Sequence, residues 1–311
     1  MKKIDIICIG EVLIDFIGHE INTSINRTKD YHRFLGGSPT NVAVNAARLG
    51  LNPLLVATCG EDGLGDYVVR KLKSNHLNTL GIRKSASEPT SVIFVSKSTE
   101  TPEFIPYREA DCQILESQLP DELIADAKIF HTTCFALSKN PARNTILNRA
   151  KKAKELGSKL SIDLNFSERI WPDREEAKEV IKEYLSNDPL LKLSEDDCYR
   201  LFAERKTEDF IFDYFHQMGA TRICLTKGKN GVVLSDSTQG LFFQEAFYVD
   251  EIKDTTGAGD AFWTGFLYAR LLGKDFEDTI TIAQKLAVLK LQNVGRLPEG
   301  INIKEYLASS N

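Results

Sequence analysis

One stretch of the sequence combines accessible backbone with a carboxylate. In DTTGAGDAF (254–262) two glycines flank Ala258, Asp260 follows, and apolar residues then recur every three or four positions. This spacing predicts a helix beginning near Ala258. The first amides, from Gly257, Ala258 and Gly259, would have no partner within the helix, and with the positive dipole end they form an anion site. We therefore predict that these amides hold a phosphoryl group while Asp260 accepts the proton of an attacking hydroxyl.

A simpler interpretation of the same stretch is a structural helix start. An acidic residue in the first turn stabilises a helix by about 0.3–1 kcal/mol. That effect accounts for Asp260, but it leaves both glycines unexplained. The sequence contains neither a P-loop nor the HRD and DFG motifs of protein kinases, so phosphoryl transfer would belong to another class of enzyme.

A second glycine-containing stretch, GGSPTNVAVNAARLG (36–50), is typical of a loop that enters a helix. Ser38 suits the N-cap and Gly50 suits the position after the helix end. Capping explains neither the glycine pair before Ser38 nor Asn41 in the first turn, where its amide could face a ligand. Structural and functional interpretations of this loop both remain open on chemistry alone.

The elements that would position these loops alternate between short apolar runs and longer amphipathic ones. Strands alternating with helices predict a mostly parallel sheet with helices on both faces. Ligands of such folds bind at the carboxyl ends of the strands. The predicted strands are 4–10, 54–60, 128–133, 159–165, 190–194 and 222–228, and the clearest helices are 65–76, 142–157 and 207–219.

One region departs from this alternation. Residues 90–108 indicate two β segments around a polar turn, with Pro106 suited to an edge strand. Residues 18–34 are polar and irregular and could supply further strands. Such an insertion could cover a site as a lid or pair with another subunit.

Composition narrows the class of protein. With 39 Lys and Arg against 44 Asp and Glu, the net charge is −5, which argues against nucleic acid as the main partner. The six cysteines lie far apart and none forms a C-x-x-C pair, which predicts reduced, buried thiols in a cytoplasmic protein. The histidines show no metal-ligand spacing. We also expect no secretory signal and no membrane partner, because charged residues interrupt every apolar run.

Taken together, the motifs resemble those of the ribokinase-like, or PfkB, family of carbohydrate kinases, most closely its fructokinases. The resemblance implies an α/β fold with a mostly parallel, doubly wound sheet flanked by helices and a small β-sheet lid. It implies a single domain over 1–311, with the lid inserted from about 11–35 and 89–109. The markers occur in family order: GEVLID (10–15), GGSPTN (36–41), GEDGLG (60–65), YR (107–108), LTKGKNG (225–231) and DTTGAGD (254–260).

The resemblance also implies roles for individual residues at the reaction centre. Asp260 matches the catalytic base, and the anion hole matches Gly257, Ala258 and Gly259. The positions that hold the sugar match Asp15, Gly37, Asn41 and Arg108. Arg108 also occurs at this place in 2-keto-3-deoxygluconate kinases, where it can pair with a carboxylate. Arg169 follows the D-x-N stretch two positions later than the arginine of many fructokinases, and it is left unassigned.

For the nucleotide and metals, the resemblance implies ATP, Mg²⁺ and, as in some members, K⁺. Asp197 stands where many members carry a glutamate that affects magnesium, and its shorter side chain would act through water. Asp254 and Thr256 match a monovalent-cation site. The nucleotide-binding positions match Ser194, Thr226, Lys227, Gly228, Gly231 and Gln284.

The expected function is ATP-dependent phosphorylation of a monosaccharide hydroxyl, first of all the 6-hydroxyl of D-fructose. The alternatives are a 2-keto-3-deoxygluconate or 5-dehydro-2-deoxygluconate kinase, a nucleoside kinase, and a non-catalytic sensor of sugar or nucleotide. A homodimer formed through the lid remains open.

Overall fold

The computed structural model describes residues 2–97, 103–295, 297–298 and 302–308. The strands are β1 (Ile4–Ile9), β2 (Leu13–Ile21), β3 (Tyr31–Gly36), β4 (Pro53–Gly60), β5 (Ile82–Ser85), β6 (Val92–Lys97), β7 (Phe104–Tyr107), β8 (Ala127–Thr133), β9 (Lys159–Asp163), β10 (Leu190–Ser194), β11 (Arg222–Thr226), β12 (Val232–Asp236) and β13 (Gly240–Gln244). The helices are α1 (Ser38–Arg48), α2 (Gly63–Ser74), α3 (Asp121–Ala125), α4 (Ala142–Glu155), α5 (Arg174–Leu185), α6 (Glu195–Phe202), α7 (Glu208–Gln217), α8 (Ala258–Leu271), α9 (Phe276–Leu291) and α10 (Ile303–Ala308).

The larger sheet has the strand order β13-β12-β11-β10-β9-β8-β1-β4-β5. Neighbouring strands from β11 to β5 are parallel, whereas β12 pairs antiparallel with both β11 and β13. All six predicted strands lie in this sheet, and the three predicted helices are α2, α4 and α7. The predicted mostly parallel architecture is therefore confirmed.

Helices cover both faces of the larger sheet. Successive side chains of a strand point to opposite faces, so apolar residues on both faces need a covering layer. On β1, Ile7 and Ile9 pack into one hydrophobic cluster, whereas Ile6 and Cys8 pack into another. The first cluster takes its helical residues mainly from α4, α5, α6 and α7, and the second from α1, α2, α8 and α9. Strands buried on both faces explain the near-continuous apolar runs of the sequence.

Polar residues gather where the central parallel strands end. Strand β1 has β4 on one side and β8 on the other. The chain adds β4 and β5 on the first side and then continues from β8 on the second, so strand order reverses at β1. Ligands of α/β sheets bind at such a reversal, outside the carboxyl ends of the strands. The polar residues at or just after these ends are Glu11, Thr133, Asp163, Ser194 and Thr226.

The smaller sheet has the order β3-β2-β6-β7, which includes both β segments predicted in 90–108 and two strands that overlap 18–34. Strand β7 is an edge strand and contains Pro106, as predicted. The polar turn expected between these two segments falls on 98–102, outside the described residues.

The start of α1 differs from the sequence prediction. Gly37, not Ser38, is the N-cap, and it adopts a positive φ of 103°. A Cβ at this position would lie 2.3 Å from the Glu11 carbonyl oxygen, so only glycine fits. Ser38 is the first helical residue, and its amide donates to the buried Glu11 carboxylate at 3.0 Å. Gly50 follows the helix end with φ of 74°, as predicted.

Two further expectations can be compared with the structure. The six cysteines are free and buried, as the sequence predicts. In the part of the chain that the structure describes, no helix combines the length and apolar character needed to cross a bilayer.

We expect Gly37→Ala to destabilise the fold by at least about 1–3 kcal/mol, the usual cost of a strained backbone conformation. The added methyl group also meets the Glu11 carbonyl. Urea unfolding measures this change. The control is Gly63→Ala in α2, where an added Cβ meets no atom within 4 Å and the backbone is helical. Equal losses in the two variants would contradict the assigned constraint.

Candidate active site

The two glycine-containing loops meet at Asp260. This residue lies in the first turn of α8 and accepts hydrogen bonds from the first turn of α1. Ser38 Oγ donates to Asp260 Oδ1 at 2.5 Å, and Asn41 Nδ2 donates to Oδ2 at 2.8 Å. The fold therefore joins segments 219 positions apart around one carboxylate. The hydroxyl of Ser38, predicted to cap its own helix, instead orients Asp260.

The surroundings of Asp260 favour proton uptake. Burial raises the pKa of the Asp260 carboxyl group above its ordinary value, while the hydrogen bonds from Ser38 and Asn41 offset part of this rise. A carboxylate with a raised pKa accepts a proton more readily near neutral pH, as a general base requires.

A second carboxylate, Asp15 on β2, belongs to the same site. A Cβ at Gly36 would lie 2.2 Å from Asp15 Oδ2, so the first glycine of the GG pair makes room for this side chain. Burial, followed by the charge of Asp260, raises the pKa of Asp15 to about 7. Among the described residues, no protein group donates a hydrogen bond to its carboxylate. Its oxygens are consequently available to the hydroxyl groups of a ligand.

The predicted anion hole lies at the start of α8. Gly257 is the N-cap with φ of 75°, a left-handed conformation that favours glycine. The Ala258 amide donates to the Thr255 carbonyl at 3.2 Å, so it is already partly used. Among the described residues, no protein group accepts a hydrogen bond from the amides of Gly257 and Gly259. These two amides therefore remain available for an anion.

A buried ammonium group lies beside this anion hole. A Cβ at Gly259 would come within 3.1 Å of Lys192 Nζ, which pairs with Asp163 at 2.8 and 3.0 Å. Burial opposes the charge of Lys192, but Asp163 and Asp197 outweigh it and raise the pKa of the ammonium group. Lys192 thus adds a permanent positive charge where the helix amides already favour an anion.

Arg108 does not lie on an exposed lid edge. It follows β7, is 6% exposed, and donates through Nε and Nη2 to Asp111 at 2.9 and 2.6 Å. Its Nη1 donates to the Phe135 carbonyl at 3.3 Å and to the Ser138 hydroxyl. The guanidinium group therefore connects the smaller sheet to the segment that follows β8.

The predicted nucleotide loop follows β11. Gly231 has φ of 93°, and a Cβ there would lie 2.2 Å from the Gln244 carbonyl oxygen. Gly228 is also left-handed and has open space around it. Lys227 forms an ion pair with Glu208, and Thr226 Oγ1 donates to the Leu193 carbonyl at 3.3 Å. The side chains of Thr226 and Lys227 are therefore engaged with protein groups, whereas the backbone at Gly228 is accessible.

Three other predicted ligand residues are held by protein groups. Gln284 is buried; its Oε1 accepts from the Phe247 amide and its Nε2 donates to the Glu245 carbonyl, both at 2.9 Å. Asp197 and Ser194 form a capping box at the start of α6. Asp197 Oδ1 also accepts from the Phe166 amide at 3.1 Å. Asp197 is buried rather than a solvated acidic helix start.

At the predicted cation site, both carboxylate oxygens of Asp254 accept hydrogen bonds from protein groups. Asp254 Oδ1 accepts from the Thr256 amide at 2.9 Å, and Oδ2 accepts from Lys290 Nζ at 3.0 Å. In the described ranges, no group of three or more His, Cys, Asp or Glu residues is arranged to hold a metal ion.

Sequence reasoning missed several residues of this site. Glu11 accepts from Ser38 and, at 3.0 Å, from Thr133 Oγ1, and burial raises its pKa to about 8. Lys192 and Asp163 were also missed, although each is a charged residue inside an apolar strand run. Such a residue is a usable signal, because buried charges occur mainly where they are paired.

Comparison with known proteins adds independent information. The model of the pfkB family of carbohydrate kinases matches residues 3–298. The ATP-dependent 6-phosphofructokinase of Thermoanaerobacterium thermosaccharolyticum is 33% identical over 296 residues, covering 95% of this chain and 90% of that protein. Among solved structures, Halothermothrix orenii fructokinase is 34% identical with a TM-score of 0.79, covering 90% of this chain and 96% of that one. Xylella fastidiosa fructokinase with bound ATP is 25% identical with a TM-score of 0.84, covering 99% and 98%. The predicted fold class and family resemblance are confirmed.

We expect Ser38→Ala to raise the pKa of Asp260, because the lost hydroxyl stabilises the ionised carboxylate. Carbon-13 NMR of labelled aspartate side chains measures this pKa, and Asp260→Asn identifies the resonance. The control is Thr264→Val, since Thr264 Oγ1 donates only to the backbone carbonyl of Asp260. An unchanged or lowered pKa in Ser38→Ala would contradict the described contact.

Proposed function

This chain belongs to the pfkB family of carbohydrate kinases, and we propose that it transfers the γ-phosphoryl group of ATP to D-fructose, forming fructose 6-phosphate. The single observation that carries this proposal is Asp260, a partly buried carboxylate adjoining the available amides of Gly257 and Gly259. A base beside an anion site is the arrangement that phosphoryl transfer to a hydroxyl requires.

In the proposed mechanism, the 6-hydroxyl of the sugar donates its proton to Asp260. The hydroxyl oxygen forms a bond to the γ-phosphorus as the bond from that phosphorus to the oxygen of the β-phosphate breaks, which releases ADP. The amides of Gly257, Ala258 and Gly259 stabilise the oxygens of the transferring group, with the Ala258 amide turning from its weak contact with Thr255. The ammonium group of Lys192, which lies next to Gly259, supplies positive charge to the same phosphoryl oxygens.

ATP is supported as the donor by the relatives with which it is named or bound. We assign its phosphates to the start of α8 and the backbone of Gly228, which has open space around it, and we propose that Gly231 shapes this loop by its close approach to the Gln244 carbonyl. The contacts of Lys227 and Gln284 favour an indirect role for both, in which they hold the walls of the nucleotide pocket.

Mg²⁺ fits this site as an ion carried by ATP. It binds through one or two carboxylates and substrate phosphates and retains several waters, so an all-protein cage is not required. It would screen the charge of the phosphates. Asp197 lies at the start of α6 with both oxygens in protein hydrogen bonds, so we assign it contact through water.

Fructose is supported as the acceptor by the names of two similar solved structures and by the carboxylate of Asp15. Each oxygen of Asp15 can accept a sugar hydroxyl, and Asn41 retains an amide oxygen and one N–H beyond its bond to Asp260. Gly37 brings the backbone near the same space. Buried polar groups of this kind strongly reject analogues that lack the matching hydroxyls.

A second candidate acceptor is fructose 6-phosphate, because one relative is named a 6-phosphofructokinase. The phosphate of this substrate is an anionic group in addition to those of ATP, and its binding needs a cation. All three nitrogens of Arg108 donate to protein groups, and its charge is paired with Asp111. This pairing favours an uncharged sugar over a sugar phosphate or a sugar acid.

We also propose that two copies associate through the smaller sheet in the cytoplasm, where ATP and reduced thiols coexist. Phe16, Tyr31 and Tyr107 form a ring cluster around Phe94 on this sheet, and Tyr107 is 56% exposed. Exposed aromatic side chains are enriched at protein interfaces.

We expect Asp260→Ala to lower kcat by about 10²–10⁴, the usual range for a positioned general base. A coupled assay of ADP release at saturating sugar and ATP measures kcat. Asp209→Ala is the matched control, because Asp209 lies exposed in the first turn of α7 and should tolerate the change. Near-normal turnover of Asp260→Ala would refute the proposed base.

We expect D-fructose to give the highest kcat/KM in a panel with fructose 6-phosphate, 2-keto-3-deoxygluconate, 5-dehydro-2-deoxygluconate and adenosine. ADP release measures each rate, and NMR of the product identifies the phosphorylated oxygen. A higher kcat/KM with fructose 6-phosphate would refute D-fructose as the acceptor and support fructose 6-phosphate instead. Thermal stabilisation by sugar without ADP formation would instead favour a sensor.

A further inference from the structure

The ammonium group of Lys290 occupies an oxygen-lined site close to the start of α8. Lys290 lies in the last turn of α9 and is only 3% exposed. Its Nζ contacts Asp254 Oδ2 at 3.0 Å, the Asn293 carbonyl at 3.2 Å and the Asp254 carbonyl at 3.5 Å. One carboxylate and two backbone carbonyls therefore surround a single positive charge.

Asp254 holds this charge in its ionised form. Burial opposes ionisation of Asp254, but hydrogen bonds from the amides of Gly295 and Thr256 and from Lys290 outweigh it, so its pKa lies below the ordinary value. The amides of Lys253 and Asp254 also donate to the Leu291 carbonyl at 2.8 and 3.3 Å. The segment that leads into the anion hole is thus attached to the end of α9 by backbone and by charge.

The position of Lys290 connects this site to the reaction centre. A Cβ at Gly257 would lie 3.8 Å from Lys290 Cε, so the lysine stem runs beneath the N-cap of α8. The charge of Lys290 also acts on Asp260, where burial raises the pKa and this cation is one of the groups that lower it. Lys290 therefore combines a mechanical and an electrostatic link to the proposed base.

Carboxylate and carbonyl oxygens of this kind are also what a monovalent metal cation would need. The family resemblance implies such a cation at Asp254 and Thr256, but the residues of this chain do not fit it. The ammonium group of Lys290 already contacts Oδ2 and the backbone carbonyl oxygen of Asp254. A second cation beside it would be repelled by the like charge.

We propose that Lys290 is a positioning residue that supplies, through a covalent tether, the monovalent positive charge of this site, so that turnover does not require K⁺. The inference rests on the proposed sugar kinase function. A tethered ammonium cannot dissociate, so the segment 254–257 keeps its conformation in any monovalent salt.

The first test uses the unmodified protein. ADP release with D-fructose and ATP–Mg²⁺ is measured at constant ionic strength with K⁺, Na⁺ or tetramethylammonium as the only monovalent cation. Equal rates in the three salts are expected. A rise of about tenfold with K⁺, within the usual range of coupling between two ligands, would overturn the proposal.

The second test removes the charge while keeping the length of the side chain. In tetramethylammonium, Lys290→Met should lower kcat by about 10²-fold, the usual cost of displacing catalytic groups by about 1 Å. Added K⁺ should restore part of this loss, and the acid limb of the pH–rate profile should move to higher pH because Asp260 loses a neighbouring cation. Lys253→Met, which removes an exposed ammonium from the same segment, should leave kcat and its salt dependence unchanged.

Unaltered kcat in Lys290→Met would overturn the proposal, as would a loss without K⁺ recovery and without a shifted acid limb. If this variant does not fold, the salt dependence of the unmodified protein decides. Failure of the proposed function is distinguishable, because it would appear as absence of ADP release with every sugar in every salt. In that case the melting temperature of the unmodified protein still tests the site: the same value in K⁺ and tetramethylammonium supports it, and a higher value in K⁺ contradicts it.

Discussion

The architecture of the site depends on one partly buried carboxylate placed between two helix starts. Asp260 belongs to α8, yet both of its oxygens are held by the first turn of α1. Neither helix could shift or rotate without breaking these hydrogen bonds. Water would not easily replace the lost hydrogen bonds in this partly buried region, so the movement would cost free energy. The two loops that precede these helices are consequently fixed relative to each other. The proposed base, the proposed anion hole and the carboxylate proposed to bind sugar share one space for this reason.

A chain of buried polar contacts holds this arrangement to the larger sheet. Glu11, just after β1, accepts from the Ser38 amide and from Thr133 at the end of β8. The two central strands therefore determine where α1 begins. Gly37 permits this because its missing side chain allows the Glu11 carbonyl to approach. On the other side, Arg108 ties the smaller sheet to the segment after β8.

The charges of the site are arranged so that burial does not leave them uncompensated. The ammonium group of Lys192 acts on the carboxylates of Asp163 and Asp260, and that of Lys290 also acts on Asp260. Burying an unpaired charge is costly, so these groups stabilise the fold only as a set. Asp15 is the exception, since no described protein group donates to it, and burial, followed by repulsion from Asp260, raises its pKa. A ligand that donates hydroxyls to Asp15 would complete the set.

Local chemistry in the sequence was sufficient for much of this protein. Apolar periodicity predicted the strands of the larger sheet and the helices that cover it, because burial on one or both faces leaves a direct pattern in the chain. The motif around Asp260 predicted the start of α8 and the available amides of Gly257 and Gly259, because the first amides of a helix have no partner within it, whereas it did not predict that the Ala258 amide donates to Thr255. Only the tertiary structure decided which distant side chains contact each other. Ser38 has the chemistry of an N-cap, and nothing local reveals that its hydroxyl orients Asp260 instead. Lys290 meets Asp254 only because α9 returns beside α8, and contacts between distant residues depend on packing that no local pattern contains.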